Sequence, residues 1–508
     1  MKVVVVGNGM AGCRFVQELL ERTDRFDVTV VGDEPGGAYN RILLSNVLAG
    51  ATRADATTIA GEEWYAERGV TLRSGTAVVA VDRGARTVRL ADGTSLPYDR
   101  LVLATGSTAF VPPTPGLRRD DGSLIAGAAL FRTREDCTAI DAWAARATRA
   151  VVVGAGVLGL EAARALAGRG LAVTVVQRED RLMERQLDAA AGRVLGRTLG
   201  RLGIDVVAGA SVAAVHGGDP VSEPASEPSG IAALPPERSE GVTGVTLTDG
   251  SSVAAELIVL CCGVRPRVDL AREAGLDVGH GVRVDDRMHT ADPAVLAIGE
   301  CAEHRGRLYG LVAPVWEQAR VAAAVLADPS SPARYAGSTM VTRLKAAGIE
   351  LAAMGDDSPR DETDDAADDT EFVTFVDRNR GVYQKLVVQD GRLVGAILLG
   401  DTRNAGTVTQ LFERGAALPI DRSALLMVRR NAPAATTTSP TALPARATIC
   451  QCNGVTKGAI TSAWQAGARS VEEIAAQTRA TTGCGTCRDT VCGLVDWLAE
   501  ADAQAEPA

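Results

Sequence analysis

Two residue patterns in the chain have the types and spacing to do chemistry. One is the glycine motif G-x-G-x-x-G, which occurs twice, and the other is a set of four cysteines near the C-terminal end. In such a motif the first glycine makes a tight turn, the second lets the backbone approach a pyrophosphate, and the third lets a helix pack closely on a strand. The two copies comprise Gly7, Gly9, Met10, Ala11 and Gly12, and Gly154, Gly156, Val157, Leu158 and Gly159. One copy is a weak signal, but two copies predict two dinucleotide sites.

The four cysteines form one C-x-C pair and one C-x-x-C pair. Cys450 and Cys452 are followed, after 31 residues, by Cys484 and Cys487. Four thiolates at two short spacings can hold zinc or an iron–sulfur cluster, and the spacing alone leaves both open. The other cysteines are predicted to be small packed residues, namely Cys13, Cys137, Cys261, Cys262, Cys301 and Cys492. Because no C-x-x-C pair lies near the first glycine motif, a dithiol reductase is disfavoured.

The elements around the glycine motifs predict how these residues are positioned. An unbroken β-branched run precedes each motif and a helix-forming segment follows it, which is typical of a strand buried on both faces and the helix of a βαβ unit. A hairpin signal and a further strand also occur twice, around Asp92-Gly93 and around Asp249-Gly250. The sequence therefore predicts two Rossmann-like domains built on one plan.

The ends of the second strands predict which groups meet the ribose. In the first domain the strand at 27–31 leads to Asp33 and Glu34, about twenty residues beyond the motif, where a carboxylate would hold a ribose hydroxyl. The alternative is an acid that only stabilises a turn. In the second domain the equivalent strand ends at Gln177 and Arg178, without a carboxylate. Arg178 permits a 2′-phosphate, so the choice between NADH and NADPH stays open.

The segment from Tyr39 to Gly50, together with the first glycine motif, resembles the flavoprotein part of NAD(P)H-dependent assimilatory nitrite reductase large subunits. It is equally similar to the electron-transfer subunits of assimilatory nitrate reductases. Both families belong to the glutathione-reductase-like superfamily of flavoproteins with two dinucleotide sites. The resemblance implies that the first domain binds FAD and the second binds NAD(P)H.

Further residues take their expected roles from this resemblance. Thr105, Gly106 and Glu300 match two more FAD motifs of the superfamily. The resemblance implies that Glu300 hydrogen-bonds the flavin ribityl chain, that Arg41 lies near the FAD phosphates, and that Gly263, the counterpart of Gly106, lies in the NAD(P)H site. The segment 182–188 is expected beside the nicotinamide nucleotide.

No residue is assigned as catalytic. By resemblance Glu161 approaches the nicotinamide, with a helix-surface salt bridge as the alternative. Trp316 lies in a helix expected to begin near Ala313-Pro314, and it either covers the flavin ring or belongs to the core. Proline fits the first turn of a helix because its missing N–H would have no partner there.

The cysteine segments resemble the bacterioferritin-associated ferredoxin-like module. The residues that carry this likeness run from Cys450 to Gly458 and from Gly483 to Cys487. The resemblance implies a [2Fe–2S] cluster with Cys450, Cys452, Cys484 and Cys487 as ligands. A capping box is predicted at 470–473, and one helix face is predicted to contain Val491, Leu494, Val495 and Leu498.

The predicted architecture is α/β with two Rossmann-like domains, an α+β third domain and a small helical [2Fe–2S] module. The expected boundaries are 1–115 with 265–330 for FAD, 116–264 for NAD(P)H, 331–428 for the third domain, 429–448 for a flexible linker and 449–500 for the module. Strands are expected at 373–376 and 385–388, with a turn at 389–391. The segments 217–241 and 356–371 are predicted loops without an assigned role.

Composition limits the classes of partner. The 508 residues carry a formal net charge of −10, which argues against nucleic acid because phosphate binding needs a basic surface. No apolar run approaches a membrane span or a signal peptide and the chain begins with a strand, so we expect a cytoplasmic protein. A homodimer is compatible with the superfamily.

A nicotinamide delivers two electrons as hydride and an iron–sulfur cluster passes one at a time, so a flavin is required between them. The resemblance implies an NAD(P)H-oxidising flavoprotein that serves the catalytic subunit of an assimilatory nitrate reductase. The alternatives are electron donation in a nitrite reductase, a general ferredoxin- or rubredoxin-type reductase, and a redox-sensing regulator. Since no cysteine set for a sirohaem and [4Fe–4S] domain follows Cys492, the chain is not expected to reduce nitrite alone.

Overall fold

The computed structural model describes residues 1–217, 241–355, 370–426, 443–450, 453–482 and 487–505. Most of the two loops predicted at 217–241 and 356–371 and most of the linker predicted at 429–448 lie outside the described residues, as do Cys452 and Cys484. None of the described helices is long and apolar enough to cross a membrane.

The first part of the chain forms a parallel sheet with flanking helices. Its elements are β1 (Lys2–Val6), α1 (Met10–Leu20), β2 (Asp27–Val31), β3 (Ala38–Tyr39), α2 (Leu44–Leu48), β4 (Thr58–Ala60), α3 (Glu62–Glu67), β5 (Thr71–Arg73), β6 (Val78–Asp82), β7 (Thr87–Leu90), β8 (Ser95–Pro97), β9 (Arg100–Leu103) and β10 (Ser107–Ala109). Short 3₁₀ helices occupy Arg41–Leu43 and Asp55–Thr57. The strand β1 is central, and its valines are buried on both faces, as the β-branched run predicts.

The second part repeats this plan. Its elements are β11 (Ala128–Leu130), α4 (Arg134–Ala144), β12 (Arg149–Val153), α5 (Val157–Gly168), β13 (Ala172–Gln177), α6 (Ala189–Arg201), β14 (Ile204–Ala208), β15 (Val212–Gly217), β16 (Val242–Leu247), β17 (Ser252–Ala254) and β18 (Leu257–Leu260). The parallel sheet has the order β11-β18-β12-β13-β14. The prediction of two Rossmann-like units is confirmed.

The chain then returns to the first sheet. The elements of this part are β19 (Val264–Pro266), α7 (Asp269–Glu273), β20 (Val282–Val284), β21 (Val295–Ala297), a 3₁₀ helix at Gly299–Cys301, β22 (Ala302–His304) and α8 (Val312–Ala327). The strand β21 pairs with β9, which completes the order β21-β9-β1-β2-β5. Pro314 lies in the first turn of α8, as predicted.

A third unit is an antiparallel sheet with one helix on it. It comprises β23 (Val341–Ala346), β24 (Ile349–Met354), β25 (Thr370–Asp377), β26 (Val382–Gln389), β27 (Arg392–Leu399), α9 (Ala405–Arg414) and a 3₁₀ helix at Arg422–Leu425. The predicted turn joins β26 to β27, and its residues Asp390 and Gly391 have φ of 50° and 67°. Both are left-handed, as a two-residue hairpin requires.

The third unit packs on the helices of the second unit. Leu344, Leu351 and Leu399 belong to the same core as residues of α5 and α6. A buried ion pair reinforces this contact, because Lys385 Nζ lies 3.2 Å from Asp188 Oδ2, and the Tyr383 hydroxyl donates to the same oxygen at 2.6 Å. Asp188 also caps α6 by accepting from the Ala191 N–H. One carboxylate thus joins a helix start to the neighbouring sheet.

The last unit is small and mainly helical. It contains β28 (Thr448–Cys450), β29 (Val455–Thr456), α10 (Lys457–Gln465), α11 (Val471–Thr478) and α12 (Arg488–Ala505). The four residues predicted on one face of α12 are all buried in one core, which confirms the periodicity. Only half of the predicted capping box forms: Ser470 accepts from the Glu473 N–H, while the Glu473 carboxylate accepts from the Arg469 N–H and not from that of Ser470.

Candidate functional site

Both glycine motifs have the geometry that dinucleotide binding requires. Gly7 and Gly154 have φ of 112° and 105°, and a Cβ on either would overlap a carbonyl of the adjacent strand. A Cβ on Gly12 or Gly159 would overlap the carbonyl of the first glycine of its own motif. These four positions therefore exclude any side chain, for reasons of turn geometry and helix–strand packing.

The middle glycines differ from the others. A Cβ on Gly9 or Gly156 would meet no heavy atom within 4 Å, and both residues line a cavity. Each is the N-cap of a helix, α1 or α5, that has no side-chain cap. The helix α8 also begins at this cavity without a side-chain cap. The free N–H groups and positive ends of these helices can bind the anionic parts of nucleotides.

The cavity extends continuously over the units of the structure. Its volume is about 2070 Å³, and it is lined by both glycine motifs, by Glu300, and by residues of the third and last units. The last unit contributes Gly454, Cys487 and Arg488 among others. Two dinucleotide sites and the cysteine module therefore open into one space.

On the first-domain side, Arg41 lies in a polar cluster. Its guanidinium pairs with the Glu34 carboxylate and donates to the Tyr39 hydroxyl at 2.9 Å. The Tyr39 hydroxyl in turn donates to Glu34 Oε2 at 2.6 Å, and its pKa is raised by burial. Asp33 is more exposed and pairs with Arg267 at 2.6 Å. Both carboxylates predicted for the ribose line the cavity, and Glu34 also holds Arg41 in place.

Glu300 is held by residues that the sequence did not indicate. Its carboxylate pairs with Arg132 and accepts from the Ser107 hydroxyl at 2.5 Å. Arg132 comes from the segment between β11 and α4, so this contact joins the two Rossmann-like units. The Gly299 N–H donates to Oε1 of the buried Gln318 on α8 at 2.8 Å, which fixes the 299–301 turn against that helix. Thr105 and Gly106 line the same wall of the cavity.

On the second-domain side, Gln177 supports the glycine loop. It is buried, its Oε1 accepts from the Ala155 N–H at 2.8 Å, and its Nε2 donates to Glu184 at 3.0 Å. The Met183 N–H donates to the Ala155 carbonyl at 3.1 Å, so the 182–188 segment packs on the glycine loop. Arg178 is mostly exposed and pairs with Glu179 at 2.7 Å. The outer edge of the site therefore presents Arg178 and Glu179, while Gln177 faces inward.

Two cysteines lie at the junction of the sites, beside Gly263 and Glu161. Cys13, Cys137 and Cys301 are buried, as predicted. Cys261 and Cys262 are half-buried and line the cavity, although Cys261 also packs against the core of the second unit. Burial raises the pKa of the Cys262 thiol to about 11 and also raises that of Cys261. Such thiols are poor nucleophiles near neutral pH.

Trp316 lies between the cavity and the last unit. Its side chain is buried, packs with Met10 and Val315, and lies under the Arg14 guanidinium at 5.9 Å. A Cβ on Gly454 of the last unit would be 3.5 Å from the indole. Trp316 is thus both a core residue and a contact with the cysteine module.

The two described cysteines of the motif suit an iron–sulfur site. Cys450 and Cys487 are buried in one core. The Thr481 N–H donates to Cys487 Sγ at 3.3 Å, and Asn453 Nδ2 donates to Cys450 Sγ at 3.9 Å. Such donors favour thiolate ligands, and Cys487 directly precedes α12, whose positive end favours an anionic cluster. The described residues of the cysteine module therefore fit an iron–sulfur cluster. The open middle glycines and the uncapped helices likewise fit two dinucleotides.

These features define a class of protein: an oxidoreductase with two dinucleotide sites in tandem Rossmann-like domains. Residues 1–324 match the family described as pyridine nucleotide-disulphide oxidoreductase, residues 341–416 match the rubredoxin NAD+ reductase C-terminal domain, and residues 448–497 match the BFD-like [2Fe-2S] binding domain. The chain belongs to the pyridine nucleotide-disulphide oxidoreductase family. Its cofactors are FAD, NAD(P)H and a [2Fe–2S] cluster, as the sequence predicted.

Relatives in this family agree with the resemblance seen in the sequence. The chain is 36% identical over 492 residues to nitrite reductase [NAD(P)H] of Bacillus subtilis (strain 168), covering 96% of this chain and 57% of the relative. It is 34% identical over 503 residues to the assimilatory nitrate reductase electron transfer subunit of the same organism, covering 99% and 60%. The chain thus spans under two thirds of the length of each of these relatives. The covalent putidaredoxin reductase–putidaredoxin complex has the same fold, with a TM-score of 0.70 at 24% identity, covering 84% of this chain and 95% of that one.

Proposed function

We propose that the protein oxidises NAD(P)H and passes the electrons through FAD and a [2Fe–2S] cluster to the catalytic subunit of an assimilatory nitrate reductase. The observation that carries this proposal is the single cavity lined by both glycine motifs and by Cys487. When bound, FAD converts a two-electron hydride transfer into single-electron steps, and the cluster carries single electrons onward. A site in which all three groups share one space suits such a relay.

The chain's own residues bind and orient the reactants. The helices α1 and α5 begin at Gly9 and Gly156 without a side-chain cap, so the N–H groups of their first turns can bind a pyrophosphate there. We assign Glu34 or Asp33 to the ribose of FAD and Arg41 to its phosphates. Glu300, fixed by Ser107 and Arg132, is assigned to the ribityl chain.

The uncapped start of α8 is assigned to the pyrimidine edge of the flavin. Leu311, Val312 and Ala313 line the cavity there, and no acidic residue lies in the first turn. The positive end of the helix would stabilise negative charge on this edge. Glu161, which also lines the cavity, is assigned to the nicotinamide side.

The name of the relative at 34% identity supports the acceptor, since that protein is an electron transfer subunit of assimilatory nitrate reductase. A second candidate is electron donation in a nitrite reductase, which the relative at 36% identity favours. A third is a ferredoxin- or rubredoxin-type reductase, favoured by the match of residues 341–416.

The experiment is a comparison of acceptors under anaerobic conditions. NAD(P)H oxidation by the purified protein is measured with a nitrate reductase catalytic subunit and nitrate, with a sirohaem-containing nitrite reductase subunit and nitrite, and with ferredoxin or rubredoxin. The proposal predicts the highest kcat/KM with the first acceptor. A higher value with either of the others would replace the proposed acceptor by that one.

A further inference from the structure

The cysteine module is fixed to the first domain by a polar contact between two asparagines. Asn40 is fully buried at the end of β3, where its backbone N–H donates to the Thr57 carbonyl at 2.8 Å and its Oδ1 accepts from the Ile42 N–H at 3.0 Å. These bonds leave the Asn40 amide group directed at the module. Its Nδ2 donates to Asn453 Oδ1 at 2.8 Å.

The amide of Asn453 continues this contact to a cluster ligand. Its Nδ2 lies 2.7 Å from the Arg479 carbonyl, 3.2 Å from the Thr482 hydroxyl and 3.9 Å from Cys450 Sγ. The two N–H bonds of the Asn453 amide are therefore shared among three acceptors, one of which is the Cys450 sulfur. Asn453 thus links Asn40 of the first domain to Cys450 of the module.

Neighbouring contacts show that this is a docked interface. The Arg479 side chain donates to the backbone carbonyls of Thr58 and, at 3.0 Å, of Ala56 in the first domain. Ile42 packs against the hydrophobic core of the module, and Gly454 lies against Trp316. The asparagine pair is therefore surrounded by apolar and charged contacts that place the module at the cavity.

We propose that Asn453 is a positioning residue that couples docking of the module to the reduction potential of the cluster. The inference rests on the proposed function, because it takes Cys450 as a cluster ligand. Hydrogen bonds to cluster sulfurs raise the reduction potential, since they stabilise the more negative reduced state. When the Asn40 amide donates to Asn453 Oδ1, it polarises the Asn453 amide, and the N–H groups of Asn453 then donate more strongly. Docking through Asn40 therefore raises the potential of the cluster, and release of the module lowers it.

This coupling has a direction that suits an electron relay. The docked cluster, near the flavin domain, is the better electron acceptor. The released cluster is the better donor to a partner. The same amide would thus favour electron entry in one position and electron exit in the other.

The test uses the full-length protein with Asn40→Ser. Serine can still accept from the Ile42 N–H as a helix cap but cannot reach Asn453. The midpoint potential is measured by redox titration followed by electron paramagnetic resonance of the cluster. We expect a shift to more negative potential with an unchanged spin count. The matched control is Asn46→Ser in α2, where the described residues show no side-chain hydrogen bond to the module, and it should leave the potential unchanged.

A second variant separates docking from a local effect. Arg479→Gln weakens the contacts with Ala56 and Thr58 but keeps the Arg479 carbonyl that Asn453 contacts. The proposal expects a negative shift here too. An unchanged midpoint potential in Asn40→Ser would overturn the coupling. A negative shift in Asn40→Ser without one in Arg479→Gln would also overturn it. Failure of the proposed function is distinguishable, because the potentials of the parent and the variants are measured without any acceptor, whereas the proposed function fails in the comparison of acceptors.

Discussion

Replacing Gly156 with alanine should weaken NAD(P)H binding while leaving the fold and the FAD site intact. The added Cβ would meet no heavy atom of the protein within 4 Å, and Gly156 is not in a left-handed conformation, with φ of −76°. The methyl group would instead occupy the space in front of the free N–H groups of α5. It therefore acts on the ligand and not on the protein.

The expected size follows from the hydrogen bonds at stake. A hydrogen bond to a charged group contributes about 1.5–3 kcal/mol. Losing one such bond to the pyrophosphate weakens binding roughly 10- to 150-fold. The assay is anaerobic stopped-flow reduction of the bound FAD at increasing NADH and NADPH concentrations. The apparent dissociation constant should rise, and the FAD content should equal that of the parent.

A matched control is Gly200→Ala in α6. A Cβ on Gly200 also meets nothing within 4 Å, but this residue does not line the cavity. Alanine there should stabilise the helix by about 0.5–1 kcal/mol without changing hydride transfer. Unchanged nucleotide affinity in Gly156→Ala, or an equal loss in the control, would refute the assignment of the second domain.

Three further predictions concern stability, specificity and thiol chemistry. Lys385→Met should lower the free energy of unfolding by about 3–5 kcal/mol, measured in denaturant, because it leaves the Asp188 carboxylate buried without its cation. The double variant with Asp188→Asn should recover much of this loss. Additive losses in the two variants would contradict this prediction. Arg178→Ala should lower kcat/KM for NADPH more than for NADH if Arg178 reads a 2′-phosphate, and equal changes would exclude that role. Iodoacetamide at pH 7 should leave flavin reduction by NAD(P)H unchanged, because the raised pKa of Cys262, about 11, keeps that thiol protonated. Labelling of Cys262 should accelerate only as the pH rises toward that value. Rapid inactivation at pH 7 would contradict this prediction.

Much of the fold follows from short residue patterns. Within each glycine motif, one glycine makes the turn, one lets the pyrophosphate approach and one lets the helix pack on the strand. These roles depend only on residues of the motif and on the strand beside it, so the spacing of the glycines was enough to predict them. The α12 face and the Asp390-Gly391 turn are predictable for the same reason. In each case a short pattern of residue types marks the element, even where, as for Gly7 and Gly154, the close contact is with a distant strand.

The contacts that complete the site are not local. Arg132 reaches Glu300 across 168 residues, and Asn40 reaches Asn453 across 413. Nothing in their immediate sequence marks them, since arginine and asparagine are common at loops. Pairing of this kind depends on how the domains meet.

Gln177 illustrates a different limit. Its position at the end of β13 indicated the nucleotide edge, but its side chain is long enough to turn back to the Ala155 N–H. A carboxylate at this position would be expected to face the ribose, whereas the amide both accepts from the loop and donates to Glu184. An uncharged amide as the last residue of a buried strand is the signal that could have indicated this supporting role.

The central claim is that electrons leave through the cluster, and Cys487→Ser tests it most directly. Cys492→Ser, on the helix α12 that directly follows Cys487 and outside the motif, is the matched control. We expect Cys487→Ser to lose the [2Fe–2S] signal and electron delivery to nitrate reductase, while NAD(P)H still reduces the FAD at the parent rate. The control should retain all three. Zinc in place of iron in the parent, or delivery at the parent rate by Cys487→Ser, would contradict the account.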